Sequence, residues 1–188
     1  ALAVGNENKA TNGAATAIGA GNEATGDTSV AIGNKSNASG DHSIAIGAYN
    51  NQNWTHGSNV TTPKPAGGYS LAVGNFNDAL GSRATAIGSY TTAKGEWATA
   101  IGAQTTASGN GDVAIGDTSK TNATGVGHAV AVGWHAETGA ANAVAVGPSA
   151  LASGKNSVSV GTNNNSRVQD TVTMGQDNDA KTMGGIAI

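Results

Sequence analysis

The chain has 188 residues, of which 38% are hydrophobic, 4% are aromatic and none is cysteine. Its formal net charge is -3 and the charges are scattered singly, which excludes a basic stripe for nucleic acid and a polybasic membrane tether. The lack of cysteine excludes disulfides and thiolate metal sites, and no apolar run approaches the ~20 residues of a membrane helix.

A four-residue phrase, apolar-small-apolar-glycine, recurs along almost the whole sequence. Its glycines are Gly5, Gly19, Gly33, Gly47, Gly74, Gly88, Gly102, Gly116, Gly133, Gly147, Gly161 and Gly175. Nine of the eleven intervals are 14 residues long, and the other two are 27 and 17 residues. Self-similarity at a fixed period is typical of solenoids, whose units stack and do not fold singly. Because the repeat register runs through both ends, we expect a piece of a longer repetitive protein.

Each phrase predicts a β-strand. Apolar or β-branched residues stand one and three positions before the phrase glycine and share one strand face, while the small residue between them, usually alanine, points to the other. A second glycine, seven residues later in many units, divides the unit into two short strands and two tight turns, for which glycine supplies the positive φ. The sequence therefore predicts an all-β parallel solenoid of about 13 two-strand coils, as one domain over residues 1–188.

Other positions of the repeat predict what lies outside the coils. The strand face that carries the alanines is either exposed to solvent or packed against another backbone. We favour the second interpretation, because an exposed face would contain charged residues in some of the repeats. The residue five positions before the phrase glycine varies freely, which predicts exposure to solvent. Two positions after the glycine, Tyr49, Phe76 and Tyr90 are expected to stack as a ladder.

Two insertions interrupt the repeat, an inserted loop at 50–68 and a minor one at 122–127. Solenoid insertions are expelled as loops, which often carry binding residues. Trp54 either anchors a partner or folds back to cover the solenoid or a neighbouring protomer, and the second interpretation is favoured. The histidines share no ligand spacing with one another, so we expect surface histidines and no metal or cofactor.

The segments Ser29-Val30-Ala31-Ile32-Gly33-Asn34-Lys35-Ser36 and Ser43-Ile44-Ala45-Ile46-Gly47 resemble the head repeat of YadA-like trimeric autotransporter adhesins. The resemblance implies a left-handed parallel β-roll in which three identical chains pack around an axis. It also implies an outer-membrane anchor and a coiled-coil stalk, neither visible here, and a head that binds host cells or matrix proteins.

Carried onto this sequence, the resemblance implies two sets of structural residues. The alanines expected to line the contact between chains are Ala17, Ala31, Ala45, Ala72, Ala86, Ala100, Ala114, Ala131 and Ala145. The residues expected to fill the roll are Val30, Ile32, Ile44, Ile46, Leu71, Val73, Ile87, Ile101, Val113, Ile115, Val130, Val132, Val144 and Val146. Candidate ligand contacts are Trp54, His56, Tyr69, Arg83 and Trp97.

The function expected from this sequence is attachment of a bacterial surface homotrimer to a host matrix protein or cell receptor, without enzymatic activity. Copies of one short unit leave little room for a unique catalytic constellation. An ice-binding β-solenoid is the alternative, since Thr16, Thr85 and Thr99 share a repeat position, but Val or Ile interrupts them. A hexapeptide acyltransferase helix would need a six-residue period that the sequence lacks.

Overall fold

Two-strand coils repeat along the computed structural model, which describes residues 1–50, 67–122 and 127–188 together with the backbone of strands at 52–53 and 62–63. The chain divides into two units, unit 1 (1–97) and unit 2 (98–188). The described residues form strands, turns and bends, and no helix. The prediction of an all-β parallel solenoid is confirmed.

In the described part of unit 1 six coils contribute a long strand, and all of them except the coil of Ile44–Ala48 also contribute a short strand to the stack. The long strands are β1 (Leu2–Asn6), β3 (Thr16–Ala20), β5 (Val30–Asn34), β7 (Ile44–Ala48), β10 (Leu71–Asn75) and β12 (Thr85–Ser89). The short strands are β2 (Lys9–Ala10), β4 (Glu23–Ala24), β6 (Asn37–Ala38), β11 (Asp78–Ala79) and β13 (Thr92–Ala93). Between β7 and β10, β8 (Gln52–Asn53) and β9 (Thr62–Pro63) form an antiparallel pair. The long strands pair in parallel and in register, and β7 pairs directly with β10 despite the inserted residues.

Unit 2 repeats the same arrangement. Its long strands are β14 (Thr99–Ala103), β16 (Val113–Asp117), β18 (Val130–Val132), β20 (Val144–Val146), β22 (Val158–Thr162), β24 (Val172–Gln176) and the shorter β26 (Ile186–Ala187). Its short strands are β15 (Thr106–Ala107), β17 (Lys120–Thr121), β19 (Glu137–Thr138), β21 (Leu151–Ala152), β23 (Asn165–Ser166) and β25 (Asp179–Ala180). Parallel pairing continues across the minor insertion, where Val113 faces Val130 in register.

The interior of the coils consists of alanine and small polar side chains. The long strand of a coil points an alanine inward, and the short strand points another toward it, as with Ala31 and Ala38, which share one buried cluster. Unit 2 has an equivalent cluster that includes Ala145 and Ala152. The largest fully buried side chains among the described residues are asparagine and threonine. The coil is therefore too flat to hold a leucine or isoleucine.

This arrangement overturns the predicted orientation of the long strands. All nine alanines predicted to line the contact between chains (Ala17, Ala31, Ala45, Ala72, Ala86, Ala100, Ala114, Ala131 and Ala145) have no exposed surface within a single chain. The residues predicted to fill the roll (Val30, Ile32, Ile44, Ile46, Leu71, Val73, Ile87, Ile101, Val113, Ile115, Val130, Val132, Val144 and Val146) lie outside it, partly buried or, for Ile46, 37% exposed. The prediction was wrong because a 14-residue coil leaves room only for small side chains between its two backbones, mostly alanine and in some coils serine or threonine.

Buried asparagines at one bend of the coil make side-chain hydrogen bonds to backbone carbonyl and amide groups. The Asn77 amide donates to the carbonyls of Val73 and Gly88, both at 2.8 Å, and its oxygen accepts the Thr91 amide at 3.0 Å. Buried polar groups of this kind stabilise a fold when their hydrogen bonds are made. The small polar residues three positions after the phrase glycine therefore hold successive coils together.

The two glycines of a unit serve different purposes. Gly33 has a φ of 123°, and a Cβ there would lie 1.9 Å from the carbonyl oxygen of Gly47, so both conformation and space require glycine. At Gly26 no positive φ is recorded, but a Cβ would lie 2.1 Å from the Gly40 oxygen. The second glycine is thus needed for close approach of the coils. The prediction that it supplies the positive φ of the turn was wrong.

A buried carboxylate supports the chain beside the minor insertion. Asp112 has no exposed surface, and its two oxygens accept the amides of Gly109 at 2.8 Å and Ala129 at 2.9 Å. Other coils have alanine, serine, threonine or glycine at this repeat position. Because Ala129 follows the insertion at 122–127, the carboxylate holds the returning chain in place. The repeat pattern alone does not reveal this role, although Asp112 is the one aspartate at its repeat position.

Candidate assembly face and outer columns

In each unit the outward side chains of the long strands form an apolar surface, which we call the ridge. It contains the residues one and three positions before each phrase glycine. In unit 1 these are Leu2, Val4, Thr16, Ile18, Val30, Ile32, Ile44, Ile46, Leu71, Val73, Thr85 and Ile87. In unit 2 they are Thr99, Ile101, Val113, Ile115, Val130, Val132, Val144, Val146, Val158, Val160, Val172 and Met174. None of them is charged, and a contiguous exposed apolar patch marks an interaction site.

Burial along the ridge is incomplete in a single chain. Most ridge residues are half-buried, because the neighbours in the coils before and after cover part of each side chain. Ile46 is 37% exposed and Met174 is 46% exposed. Within each unit the ridge presents apolar side chains in parallel register, so a second surface of the same kind can pack against it along several coils.

A column of side chains lies along one turn of the coils in unit 1, and we call it the turn column. It contains His42, Tyr69, Arg83 and Trp97, the residues five positions before successive phrase glycines. The His42 and Tyr69 rings stack with centroids 4.6 Å apart. The guanidinium of Arg83 lies 5.6 Å from the Tyr69 ring centroid and 4.4 Å from that of Trp97.

The turn column is exposed, as predicted for this repeat position. Tyr69 is 59% exposed and Trp97 is 57% exposed. Each residue lies in the left-handed region, with φ between 57° and 61°. The backbone amides of Tyr69 and Trp97 donate to the turn carbonyls of Asp41 and Ser82 in the preceding coils, at 2.7 and 2.9 Å. Three of the five candidate ligand contacts, Tyr69, Arg83 and Trp97, are therefore brought together.

A second column follows the other bend of the coils in unit 1. Tyr49, Phe76 and Tyr90 stack with centroid separations of 4.9 and 4.8 Å, which confirms the predicted ladder. The Lys35 ammonium lies 5.6 Å from the Tyr49 ring centroid. These residues also have left-handed backbone conformations, with φ from 50° to 57°. Stacking covers the ring faces and leaves their edges toward solvent.

In unit 2 the repeat positions of the turn column hold one aromatic residue, His128; the others are Gly111, Asn142, Asn156, Asp170 and Gly184. Asn142 donates to Asn156 at 3.2 Å, and Asn156 donates to Asp170 at 2.9 Å. Hydrogen bonds from Asn156 and then Gln169 lower the pKa of the exposed Asp170 carboxyl, and the charge of Lys155 acts in the same direction. The two units therefore have the same backbone at this turn but different surface chemistry.

The remaining candidate ligand contacts, Trp54 and His56, lie outside the described residues. Within the described ranges, no three His, Cys, Asp or Glu side chains are grouped so as to hold a metal ion. No helix in the described part of the chain is long and apolar enough to cross a membrane. Trp134, 56% exposed and packed edge-on against His135, was not singled out from the sequence.

Comparison with known proteins agrees with the geometry of the coils. The family described as YadA head domain repeat (2 copies) matches residues 24–50, 66–91, 93–119 and 139–164, which together exceed half of the chain. No curated protein sequence matches the chain significantly. The matched segments contain eight of the long strands, with their buried inward residues and ridge residues: β5, β7, β10, β12, β14, β16, β20 and β22. The chain belongs to the YadA head domain repeat family.

Proposed function

We propose that this chain is the non-enzymatic head of a homotrimeric bacterial surface adhesin that attaches to host cells or extracellular matrix. Membership of the family implies a trimeric autotransporter adhesin-type domain at the bacterial surface. The proposal adds that three identical chains assemble and that parts outside this sequence anchor them in the outer membrane. The left-handed sense of the roll is likewise an expectation from the family.

The ridge is the observation that supports assembly. In each unit a row of Val, Ile and Leu side chains is left partly exposed, while the interior of the coils is filled by alanine and small polar side chains. Completing the burial of one such side chain is worth about 1 kcal/mol, at ~25 cal/mol per Å² of apolar surface. Three ridges packed around an axis bury one another without a separate partner. We therefore place the ridge, and not the alanines, between the chains.

The outer columns support an adhesive role. They lie at the turns, beside the ridge rather than on it, and would stay accessible when three ridges meet. Tyr, Trp and Arg are the side chains most often responsible for binding energy at protein interfaces. The ice-binding alternative is not supported by the register, because Thr16 pairs with Leu2 on one side and Val30 on the other, so no threonine row forms there.

The adhesive function is tested with the purified chain on plates coated separately with collagen, fibronectin, laminin and albumin. We expect saturable binding to at least one matrix protein and none to albumin, and the heat-unfolded chain should lose this binding. The same preparation is examined by sedimentation, so that binding is assigned to the trimer. A folded trimer that adheres to none of the matrix proteins, nor to cultured epithelial cells, would contradict the proposed function.

A further inference from the structure

The turn column of unit 1 contains side chains that the backbone does not favour. At φ near +57° an ordinary L-residue costs roughly 1–2 kcal/mol, and only Gly, Asn and Asp visit this region routinely. Unit 2 has a single aromatic residue at this turn, His128, and otherwise forms the turn with glycine, asparagine or aspartate, as at Asn142, Asn156 and Asp170. Unit 1 instead places Tyr69 and Trp97 there, both more than half exposed. The fold therefore does not require an aromatic column at this turn.

Strained residues persist where function or the surrounding structure compensates for them. Stacking within the column supplies part of that compensation, but hydrogen bonds between Asn and Asp side chains do the same in unit 2 at lower backbone cost. Large exposed aromatic side chains at this position thus offer a surface for something outside the chain.

Arg83 is held in place at the centre of this surface. Its guanidinium lies between the rings of Tyr69 and Trp97, at 5.6 and 4.4 Å, and its backbone amide donates to Gly68 at 2.8 Å. Its side chain is 44% exposed, so its edge can accept a ligand. A planar guanidinium fixed by stacking loses little conformational freedom on binding and matches a carboxylate with two parallel hydrogen bonds.

We propose that the turn column of unit 1 binds a protein partner and that Arg83 receives a carboxylate of that partner between Tyr69 and Trp97. This inference rests on the proposed adhesive function and assigns its contact residues. The ion pair of Arg83 with Glu96, at 3.4 Å, does not oppose it. Both side chains are about half exposed, and surface pairs of this kind are worth about 0–1 kcal/mol, so an incoming carboxylate can share or replace Glu96.

The surrounding charges favour a carboxylate on a protein over a sulfated glycan. Arg83 is the one arginine or lysine of the column, while Asp41 and Glu96 directly precede two of its members. A polyanionic chain would meet these acidic side chains along its length, whereas a single carboxylate in an apolar setting meets the guanidinium and the ring edges. The column also stands out from the turn, and small saccharides prefer concave sites.

The experiment uses the whole chain on plates coated with the extracellular matrix laid down by cultured fibroblasts. Arg83→Lys retains the charge but not the two-pronged geometry, and Trp97→Asn introduces the residue that unit 2 uses at the same position. We expect each variant to weaken binding at least tenfold while sedimentation and thermal unfolding stay as in the wild type. Asn156→Ala, at the matching position of unit 2, serves as the control and should bind like the wild type.

Chemical or enzymatic modification of the coated matrix identifies which groups of the partner are bound. Conversion of matrix carboxylates to amides with a carbodiimide and ethanolamine should reduce wild-type binding to the level of Arg83→Lys and leave that variant little changed. Protease treatment should abolish binding, and heparinase or neuraminidase should not. Wild-type binding that survives amidation, or is removed by either glycosidase, would overturn the inference.

The two proposals fail in different ways. If the wild type adheres and the Arg83→Lys and Trp97→Asn variants adhere equally well, the proposed adhesive function stands and the assignment of the contact residues is overturned. Absence of wild-type adhesion to this matrix and to the coated proteins would overturn both.

Discussion

Replacing Ile87 with aspartate is expected to convert the proposed homotrimer into folded monomers of 18.2 kDa. Ile87 lies on the ridge of β12, half-buried in a single chain, and it takes no part in the interior of its coil. In a trimer the substitution brings three carboxylates into an apolar contact. An uncompensated buried charge costs several kcal/mol, so association should weaken by at least about a hundredfold.

The matched control is Ile87→Val, because Val73 already occupies this position in the neighbouring coil of unit 1. Sedimentation equilibrium at micromolar concentration measures the mass, and circular dichroism verifies that the β-structure persists. We expect Ile87→Val to remain assembled. An Ile87→Asp protein with the same mass as the wild type would show that the ridge does not join the chains.

Replacing Ala86 with leucine is expected to destabilise each chain from within. Ala86 has no exposed surface and pairs in register with Ala72, in a coil too narrow for a larger side chain. Overpacking a rigid interior costs about 1–3 kcal/mol, and the flat coil leaves little room to relax. At roughly 2–4 °C per kcal/mol for a chain of this size, the melting temperature should fall by about 2–12 °C.

The control for this change is Thr85→Leu on the same strand. Thr85 points outward on the ridge, and Leu71 occupies the equivalent position of the preceding coil. Thermal unfolding of the two variants is followed by circular dichroism under the same conditions. We expect Thr85→Leu to melt close to the wild type; equal melting temperatures for the two leucine variants would place Ala86 outside the interior.

The sequence predicted the period, the strands, the exposed turn position and the stacking of Tyr49, Phe76 and Tyr90. It did not predict which face of the long strand is inside. Alternation shows that Ala31 lies opposite to Val30 and Ile32, but not which side is covered by the same chain. The short strands carry the information that decides between the two faces, because they also contain alanine. Where both strands of a coil contribute an alanine, the two alanines face each other across a narrow interior, as Ala31 and Ala38 do.

The conformation of the turns was also beyond the repeat pattern. Sequence reasoning assigned the positive φ to glycine, yet His42 and Trp97 carry it with φ of 57° and 61°. Residue preferences for the left-handed region do not predict an aromatic side chain at this turn. The energetic cost of the conformation is offset by stacking between rings of successive coils, and only the register of the coils shows that the rings meet. Asp112 was missed for a similar reason, because its partner Ala129 belongs to the next coil.

Short-range cross-linking between single cysteines tests most directly which face of the long strand joins the chains. The sequence contains no cysteine, so Ile87→Cys and Ala86→Cys each introduce one reactive group. We predict that a short bismaleimide links Ile87→Cys chains into species of twice 18.2 kDa on a denaturing gel, and leaves Ala86→Cys chains single. Cross-linked Ala86→Cys chains beside unlinked Ile87→Cys chains would contradict the assignment of the ridge as the assembly face.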